Sequence, residues 1–330
     1  MRVFGRFLGR LLLVLAGVAA GLWWFGPYEK VELRADFEPR KFGEGIQVYF
    51  ESIESGQDAI TPGTEKRVVW QEGFKERRTP VSILYIHGFS ATSEEIRPVP
   101  DRIADALGAN LVYTRLQGHG QSGAALAEAS APVWMFDTAE GLAAARAVGE
   151  RIVVIATSTG GTLAAAAALD TAMSDKVAAM ILVSPNFGIN DPSAGLLTWP
   201  AARYWVPLVA GQVRSTNPAS EAQATYWTTT YPLRALMPMA ALVKAVAALD
   251  FGATEVPALF WFSDDDAVVR PDITRKIAAR WGGPSVMEVV TMSEGDDPSS
   301  HVVTGDIMSP GQTDLAVERM LAWLAGHGIE

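Results

Sequence analysis

From residue 81 onward, short apolar runs alternate with helical stretches, and this alternation constrains the fold more than any other feature of the chain. The run Val-Ser-Ile-Leu-Tyr-Ile at 81–86 precedes a helical stretch at 94–107, and a second run at 111–116 precedes another at 132–148. Runs at 152–156 and 177–183 flank an alanine-rich helical stretch at 160–173. Two more runs, 258–262 and 286–292, come before an amphipathic stretch at 312–324. Strands that alternate with helices argue for βαβ units, hence an α/β protein whose mostly parallel central sheet carries helices on both faces. Upstream, residues 28–75 read as a linker followed by short strands at 46–50 and 67–70, on their β-branched and aromatic content.

Residues 187–255 break the rhythm. They hold Trp199, Tyr204, Trp205, Tyr226, Trp227 and Tyr231, prolines that include 200, 207, 218 and 238, and a helical piece at 240–249. This span reads as a mainly helical cap inserted after the strand at 177–183 and packed over the C-terminal edge of the sheet. The chain thus divides into a leader at 1–27, a core at 28–186 and 256–330, and a cap at 187–255.

The leader has a character of its own. Arg2, Arg6 and Arg10 precede an apolar run that reaches Phe25, and Pro27 comes next. Its length is close to the roughly 20 residues a helix needs to span a bilayer. Arginines on the N-terminal side keep that end in the cytoplasm and export the rest of the chain, and Trp23 and Trp24 fall where an interfacial aromatic belt sits. The competing reading is a cleaved signal peptide, with an h-region at 11–16 and Ala19, Ala20 and Gly21 before the cut. Apolar residues continue past that point, which favours the uncleaved anchor. Both readings export the domain.

Composition removes several alternatives. Of 330 residues, 49% are hydrophobic and 19% charged, as in a packed globular protein rather than a disordered one. Lys and Arg number 27 against 37 Asp and Glu, a net charge of −10, and no basic cluster is found past residue 40. That excludes the electrostatic footprint of a nucleic-acid binder. There is no cysteine, so disulfides, thiolate nucleophiles and cysteine-held metals are out. The four histidines, at 87, 119, 301 and 327, are too far apart in sequence for a local metal motif.

The chemistry is sought at the ends of the strands. Ala156-Thr157-Ser158-Thr159-Gly160 lies between a buried strand and a helix rich in small residues, the context of a nucleophile elbow. Such a turn leaves little room two positions before and after the nucleophile, where this chain has Ala156 and Gly160. A serine N-cap of an ordinary helix is the plainer alternative. His87-Gly88-Phe89 ends the first parallel strand, and Gly118-His119-Gly120-Gln121-Ser122-Gly123 ends the second.

Together with Tyr85-Ile86 and Asp266-Ala267-Val268-Val269, these segments resemble the α/β-hydrolase superfamily, most closely its monoglyceride-lipase and bacterial carboxylesterase branch, which includes serine aminopeptidase-like members. The likeness covers about residues 45–328. The segment around Gly118 is its most specific part, and the nucleophile pentapeptide departs from it by Ala156 in place of glycine. The resemblance implies an oxyanion hole from the backbone N–H groups of Phe89 and Thr159, and a nucleophile, acid and base in the order Ser…Asp…His. Ser158 is then the nucleophile. Similarity to an Asp-x-Val-Val loop selects Asp266 as the acid, with Asp264 and Asp265 as the alternatives one register step away. Only His301 and His327 lie beyond the last strand; His301 falls in the expected loop, whereas His327 lies four residues from the end. His87 and His119 precede the nucleophile and read as strand-end loop residues, and Asp137 as a structural tether.

These readings lead to an exported, membrane-anchored serine hydrolase cleaving carboxylic esters, lipid-derived ones included, with neither metal nor organic cofactor. Trp199, Tyr204, Trp205 and Trp227 of the cap are the candidate substrate-binding residues. An amide or peptide substrate is the alternative, with Asp191, Glu221 or Asp250 as anchors for an α-amino group. A non-catalytic, membrane-tethered binding protein on the same fold is a third reading.

Overall fold

A computed structural model describes residues 2–57 and 59–330 of the chain. In chain order the elements are α1 (Arg2–Phe25), α2 (Ile46–Ser55), β1 (Arg67–Val69), β2 (Thr79–Ile86), α3 (Val99–Ala106), β3 (Asn110–Tyr113), α4 (Gly123–Ala127), α5 (Ala131–Val148), β4 (Gly149–Thr157), α6 (Thr159–Ala167) and β5 (Val177–Val183). They continue with α7 (Ala202–Ala210), β6 (Val213–Ser215), α8 (Glu221–Tyr226), β7 (Thr230–Pro232), α9 (Leu236–Ala247), β8 (Ala258–Phe262), α10 (Pro271–Ala278), β9 (Ser285–Val289) and α11 (Thr313–Ala325).

Seven strands form one sheet in the order β1-β3-β2-β4-β5-β8-β9, parallel throughout except for the antiparallel edge strand β1. Successive side chains alternate between its two faces, so the central strands serve two cores. Leu84, Ile86, Val154, Ala156, Leu182 and Phe260 pack on the side of α2, α5, α6 and α9. Ile83, Tyr85, Val153, Ile155, Ile181 and Trp261 pack with side chains of α3 and α11 on the other. This is the α/β-hydrolase architecture, a mostly parallel sheet with helices on both faces. Because β2, β4 and β8 are parallel, their C-terminal ends lie along one edge, and the loops that leave them meet there.

Three local expectations change. Residues 46–50 are not a strand but the start of α2: Ile46, Tyr49, Phe50 and Ile53 fall at helical spacing and turn one face to the core, with Ile46 and Phe50 buried. The stretch 94–107 is helical only from Val99, because Pro98 and Pro100 lack the N–H a preceding turn needs and disfavour helix before them. α6 stops at Ala167, where the Asp170 carboxylate takes the N–H groups of Ala172 and Met173 and turns the chain.

Helix α5 is buried nearly all round, two carboxylates included. Lys66 Nζ lies 2.7 Å from Asp137 Oδ1 and 2.5 Å from Glu140 Oε2, and the Tyr49 hydroxyl donates to Glu140 at 2.6 Å. Burial alone would lower the Lys66 pKa, but the two carboxylates hold it above its ordinary value. Buried charge is tolerable only when paired in this way. Asp137 Oδ2 also accepts the Gln117 N–H at 2.8 Å, so the tether fastens α5 to the loop after β3.

Helix α1 has a 22-residue stretch, Phe4–Phe25, apolar and long enough to cross a membrane, and none of that stretch is buried. Its end is fastened to the segment before α7. Trp23 meets Trp199 edge-on with centroids 5.9 Å apart, Ala201 N–H donates to Pro27 O at 2.7 Å, and the Arg203 guanidinium forks onto Glu29 at 2.7 and 2.9 Å.

Candidate active site

Ser158 sits at the turn from β4 into α6, with φ 51° and ψ −116°. A non-glycine residue at positive φ is strained, and the surroundings must hold it there. The Ser158 N–H donates to Val183 O at 2.9 Å, and its carbonyl accepts from Asn186 N–H at 3.0 Å and Thr162 N–H at 3.1 Å. Gly160 is required by a close approach: a Cβ there would stand 2.2 Å from the Ile86 carbonyl oxygen. Ala156 is wholly buried on the α6 side of the sheet.

His301 is brought to the serine by the loop after β9. Its Nε2 is 3.0 Å from Ser158 Oγ, and its Nδ1 is 2.8 Å from Asp266 Oδ2. A carboxylate can only accept, so Nδ1 carries the proton and, in the neutral ring, Nε2 is left to accept from the serine hydroxyl. Burial alone would lower the His301 pKa, but the charge and hydrogen bond of Asp266 hold it above the usual imidazole value. The other Asp266 oxygen accepts the N–H groups of Val268 and Val269, both at 2.8 Å. Its neighbours are elsewhere: Asp264 is exposed and forks onto Arg275, and Asp265 is exposed as well. His327 lies just past α11 and bonds Trp323 O.

The loop after β2 supplies the other side of the site. Leu116 N–H donates to His87 Nε2 at 3.1 Å, so the His87 proton is on Nδ1, which donates to Gly88 O at 2.9 Å. That carbonyl and the Phe89 N–H belong to one planar trans peptide and point in opposite directions. His87 therefore sets the direction of the Phe89 N–H. Burial pushes the His87 pKa down to about 4, which keeps this tautomer neutral. Among the described residues, neither the Phe89 nor the Thr159 N–H has a protein acceptor. The His119 ring lies against that of His87, tilted by 54° with centroids 4.9 Å apart, and burial holds its pKa well below the usual value.

Several functional-site contacts carry no sequence signal. The Asp297 carboxylate accepts the N–H groups of Ser299, His301 and Val302 and so folds the histidine loop. Glu95 is buried beneath Gly88, whose N–H it accepts at 2.7 Å. Each is one of 37 acidic residues, and only the fold distinguishes it.

The four aromatics expected to bind substrate are dispersed. Trp199 meets Trp23 at the end of α1 and packs beside Trp205, which bonds Pro200 O, while Tyr204 is 67% exposed. Trp227 is half-buried beside Thr228, whose N–H donates to Ser90 O at 2.7 Å, next to Phe89. A cavity of about 990 Å³ lies between Trp23, Tyr28, Phe187, Trp199, Lys244 and Arg270; its lining does not include Ser158 or His301. Among the described residues no three His, Asp or Glu side chains group as metal ligands would.

A serine in hydrogen-bond reach of a histidine, at the C-terminal edge of such a sheet, defines the class: an α/β-hydrolase of the lipase and esterase type, a serine hydrolase. Residues 78–290 match the serine aminopeptidase S33 family, and the chain belongs to it. It is 27% identical over 256 residues to a thermostable monoacylglycerol lipase of Bacillus sp. (strain H-257), covering 78% of this chain and 95% of that one. Among solved structures it is similar to one from the metagenome-derived lipolytic enzymes LipS and LipT, with TM-score 0.66 and 19% identity over 81% of this chain and 100% of that chain. It is also similar to a soluble variant of monoglyceride lipase from Saccharomyces cerevisiae, with TM-score 0.60 and 12% identity over 82% and 97%. At these identities the two structures speak to the fold alone.

Proposed function

We propose that this chain is a membrane-anchored, exported hydrolase of carboxylic esters that works through Ser158, His301 and Asp266. The observation that carries the reading is the unbroken hydrogen-bond path from Ser158 Oγ through His301 to Asp266, at 3.0 and 2.8 Å. A serine hydroxyl is a weak nucleophile until a base takes its proton. As Oγ attacks the ester carbonyl, Nε2 takes that proton and Asp266 stabilises the imidazolium without accepting it. The tetrahedral oxyanion takes the N–H groups of Phe89 and Thr159, the latter at the positive end of α6. The imidazolium then protonates the leaving alkoxide. Water, deprotonated by the same histidine, hydrolyses the acyl-enzyme.

Lipid-derived esters are favoured over amides. The relative from Bacillus is a monoacylglycerol lipase, and the three carboxylates considered for an amino anchor are engaged or remote. Asp191 binds Ser193 and Asp250 binds the Gly252 N–H, while Glu221 is exposed at the start of α8. Residues 187–255 serve as the cap; its Tyr231 packs edge-on against Phe89 with centroids 5.6 Å apart, and Trp227 lies next to Thr228, which bonds Ser90 O. The arginines in the N-terminal half of α1 and its exposed apolar surface support an anchor whose C-terminal end faces outward. The clasp at Trp23, Pro27 and Glu29 then holds the cap against the bilayer, where the exposed Tyr204, Leu208 and Val209 of α7 meet lipid.

The test is hydrolysis of p-nitrophenyl esters from acetate to palmitate, and of amino-acid anilides, by the full chain and its Ser158→Ala variant, with fractionation of the cells. Ester turnover lost in the variant, in a membrane fraction accessible from outside, is the expected result. Anilide release without ester turnover transfers the reading to the amide class, and failure of both refutes it.

A further inference from the structure

The active site contains a second carboxylate that the proposed reaction does not use. Glu95 lies in the turns between β2 and α3 and is 2% exposed. Its Oε2 accepts the Gly88 N–H at 2.7 Å and the Tyr85 hydroxyl at 3.0 Å. Its Oε1 lies on the side of Gly88 that faces the nucleophile: a Cβ built on Gly88 would stand 2.7 Å from Oε1 and 3.1 Å from Ser158 Cβ. Only the bare glycine separates this carboxylate from the serine. Its charge also reaches His301, raising the imidazole pKa, while His301 lowers that of Glu95.

We infer that Glu95 is a positioning residue, which rests on the ester hydrolysis proposed for Ser158: it holds Gly88 so that the Phe89 N–H stays aimed and, when ionised, favours the imidazolium form of His301. Two contacts fix Gly88. His87 holds its carbonyl, and Glu95 holds its N–H. The hydrogen bonds at Oε2 suit the ionised form, because the Gly88 N–H can only donate and the Tyr85 hydroxyl donates as well. During acylation positive charge develops on His301. An anion behind Gly88 favours that charge in a site that excludes water, where such interactions are strong.

The titration is set by the groups that face the carboxylate. From β2 comes Tyr85, itself bonded to Thr157; from the loop after β9 comes His301, with Asp266 and Asp297 on its far sides. On the same turn Glu94 is neutralised by Arg67 and Arg97. Burial dominates and pushes the Glu95 pKa up to about 7, against the pull of the Gly88 N–H, His301 and Tyr85. Glu95 therefore changes charge near neutral pH.

The experiment compares kcat/KM for p-nitrophenyl butyrate in the full chain and its Glu95→Gln variant from pH 5.5 to 9. Gln keeps an oxygen for the Gly88 N–H and removes the charge. The ratio of wild type to variant should be near one at pH 5.5 and rise to the order of ten-fold at pH 8.5, mostly in kcat. A purely structural role gives a ratio that does not change with pH, and that result overturns the inference, as does a variant faster than wild type at high pH. Should the variant fail to fold, the downfield Nδ1–H resonance of His301 in the Ser158→Ala protein replaces it. Two titration steps, one near pH 7, are expected; a single step refutes the inference. The Ser158→Ala control separates the two readings: if it retains ester turnover the proposed function fails, whereas a dead control beside a flat ratio removes only Glu95.

Discussion

Replacing Gly160 by alanine adds a single methyl group, and the structure allows its cost to be estimated. The new Cβ would lie 2.2 Å from the Ile86 carbonyl oxygen and 2.7 Å from that of His87. The first distance is roughly 1 Å or more inside ordinary van der Waals contact. Both obstacles are backbone, and β2 is held between β3 and β4, so neither can rotate away as a side chain would. The elbow itself must move by a similar amount. Overpacking a core costs about 1–3 kcal/mol, and the rigidity here puts the expectation at the upper end. At about 2–4 °C per kcal/mol, Tm should fall by about 6 °C or more. The larger effect is on catalysis. A shift of about 1 Å in a reacting group costs on the order of 10²-fold, and this substitution displaces Ser158 from His301 and Phe89 from the oxyanion together. The assay is kcat/KM for a short p-nitrophenyl ester beside a thermal melt, with Ala156→Gly as the control that keeps space at the elbow. Gly160→Ala with wild-type kcat/KM and Tm would falsify the close-approach argument.

Other substitutions and pH changes test separate parts of the site. Asp266→Asn should lower kcat by roughly 10⁴-fold by disturbing the His301 tautomer, whereas Asp264→Asn, which breaks only an exposed pair with Arg275, should change it by less than about two-fold; equal losses would return the acid to its neighbours. Because catalysis needs neutral His301 and Asp266 holds its pKa above the usual value, kcat/KM should fall on the acid side with a midpoint above 6.5, and the residual activity of Asp266→Ala should show that midpoint moved downward. Glu95 also leaves a mark on stability. Its folded pKa, about 7, exceeds the ordinary 4.5, so its contribution to stability is fully present below pH 4.5 and lost as pH rises through about 7. Between pH 4.5 and 8.5 the stability of Glu95→Gln relative to wild type should therefore improve by about 3 kcal/mol in urea titrations, and an unchanged offset would contradict the burial of an ionisable carboxyl there.

How much was legible from sequence depends on the range of each interaction. The strands β2, β4, β5 and β8 are visible because a strand buried on both faces must be continuously apolar, and the helices between them because their segments have length and periodicity enough. Ser158 is legible because the elbow is a local structure: its strain, its small neighbours and its helix all lie within a few residues. His301 is legible by exclusion, since only two histidines lie beyond the last strand. The misread stretch at 46–50 shows the limit, because a five-residue run with four β-branched or aromatic side chains satisfies strand and helix alike in isolation, and the period became decisive only when Ile53 was counted with them.

What the sequence by itself determined is the order of elements, the class of fold and the types of residue available for chemistry, all consequences of local pattern and composition. Composition and periodicity could not separate three adjacent aspartates, which only the resemblance to an Asp-x-Val-Val loop ranked; the turn of the loop after β8 is what directs Asp266 inward to His301 and leaves Asp264 to Arg275. Tertiary structure likewise decided that Glu95, rather than its neighbour Glu94, lies beneath Gly88. The first choice depends on a contact between residues 35 apart in sequence, which exists only after parallel strands have brought their C-terminal ends to one edge of the sheet; the second sets Glu95 on Gly88, seven residues away, and Glu94 on Arg67, 27 residues away, once the turn after β2 is folded.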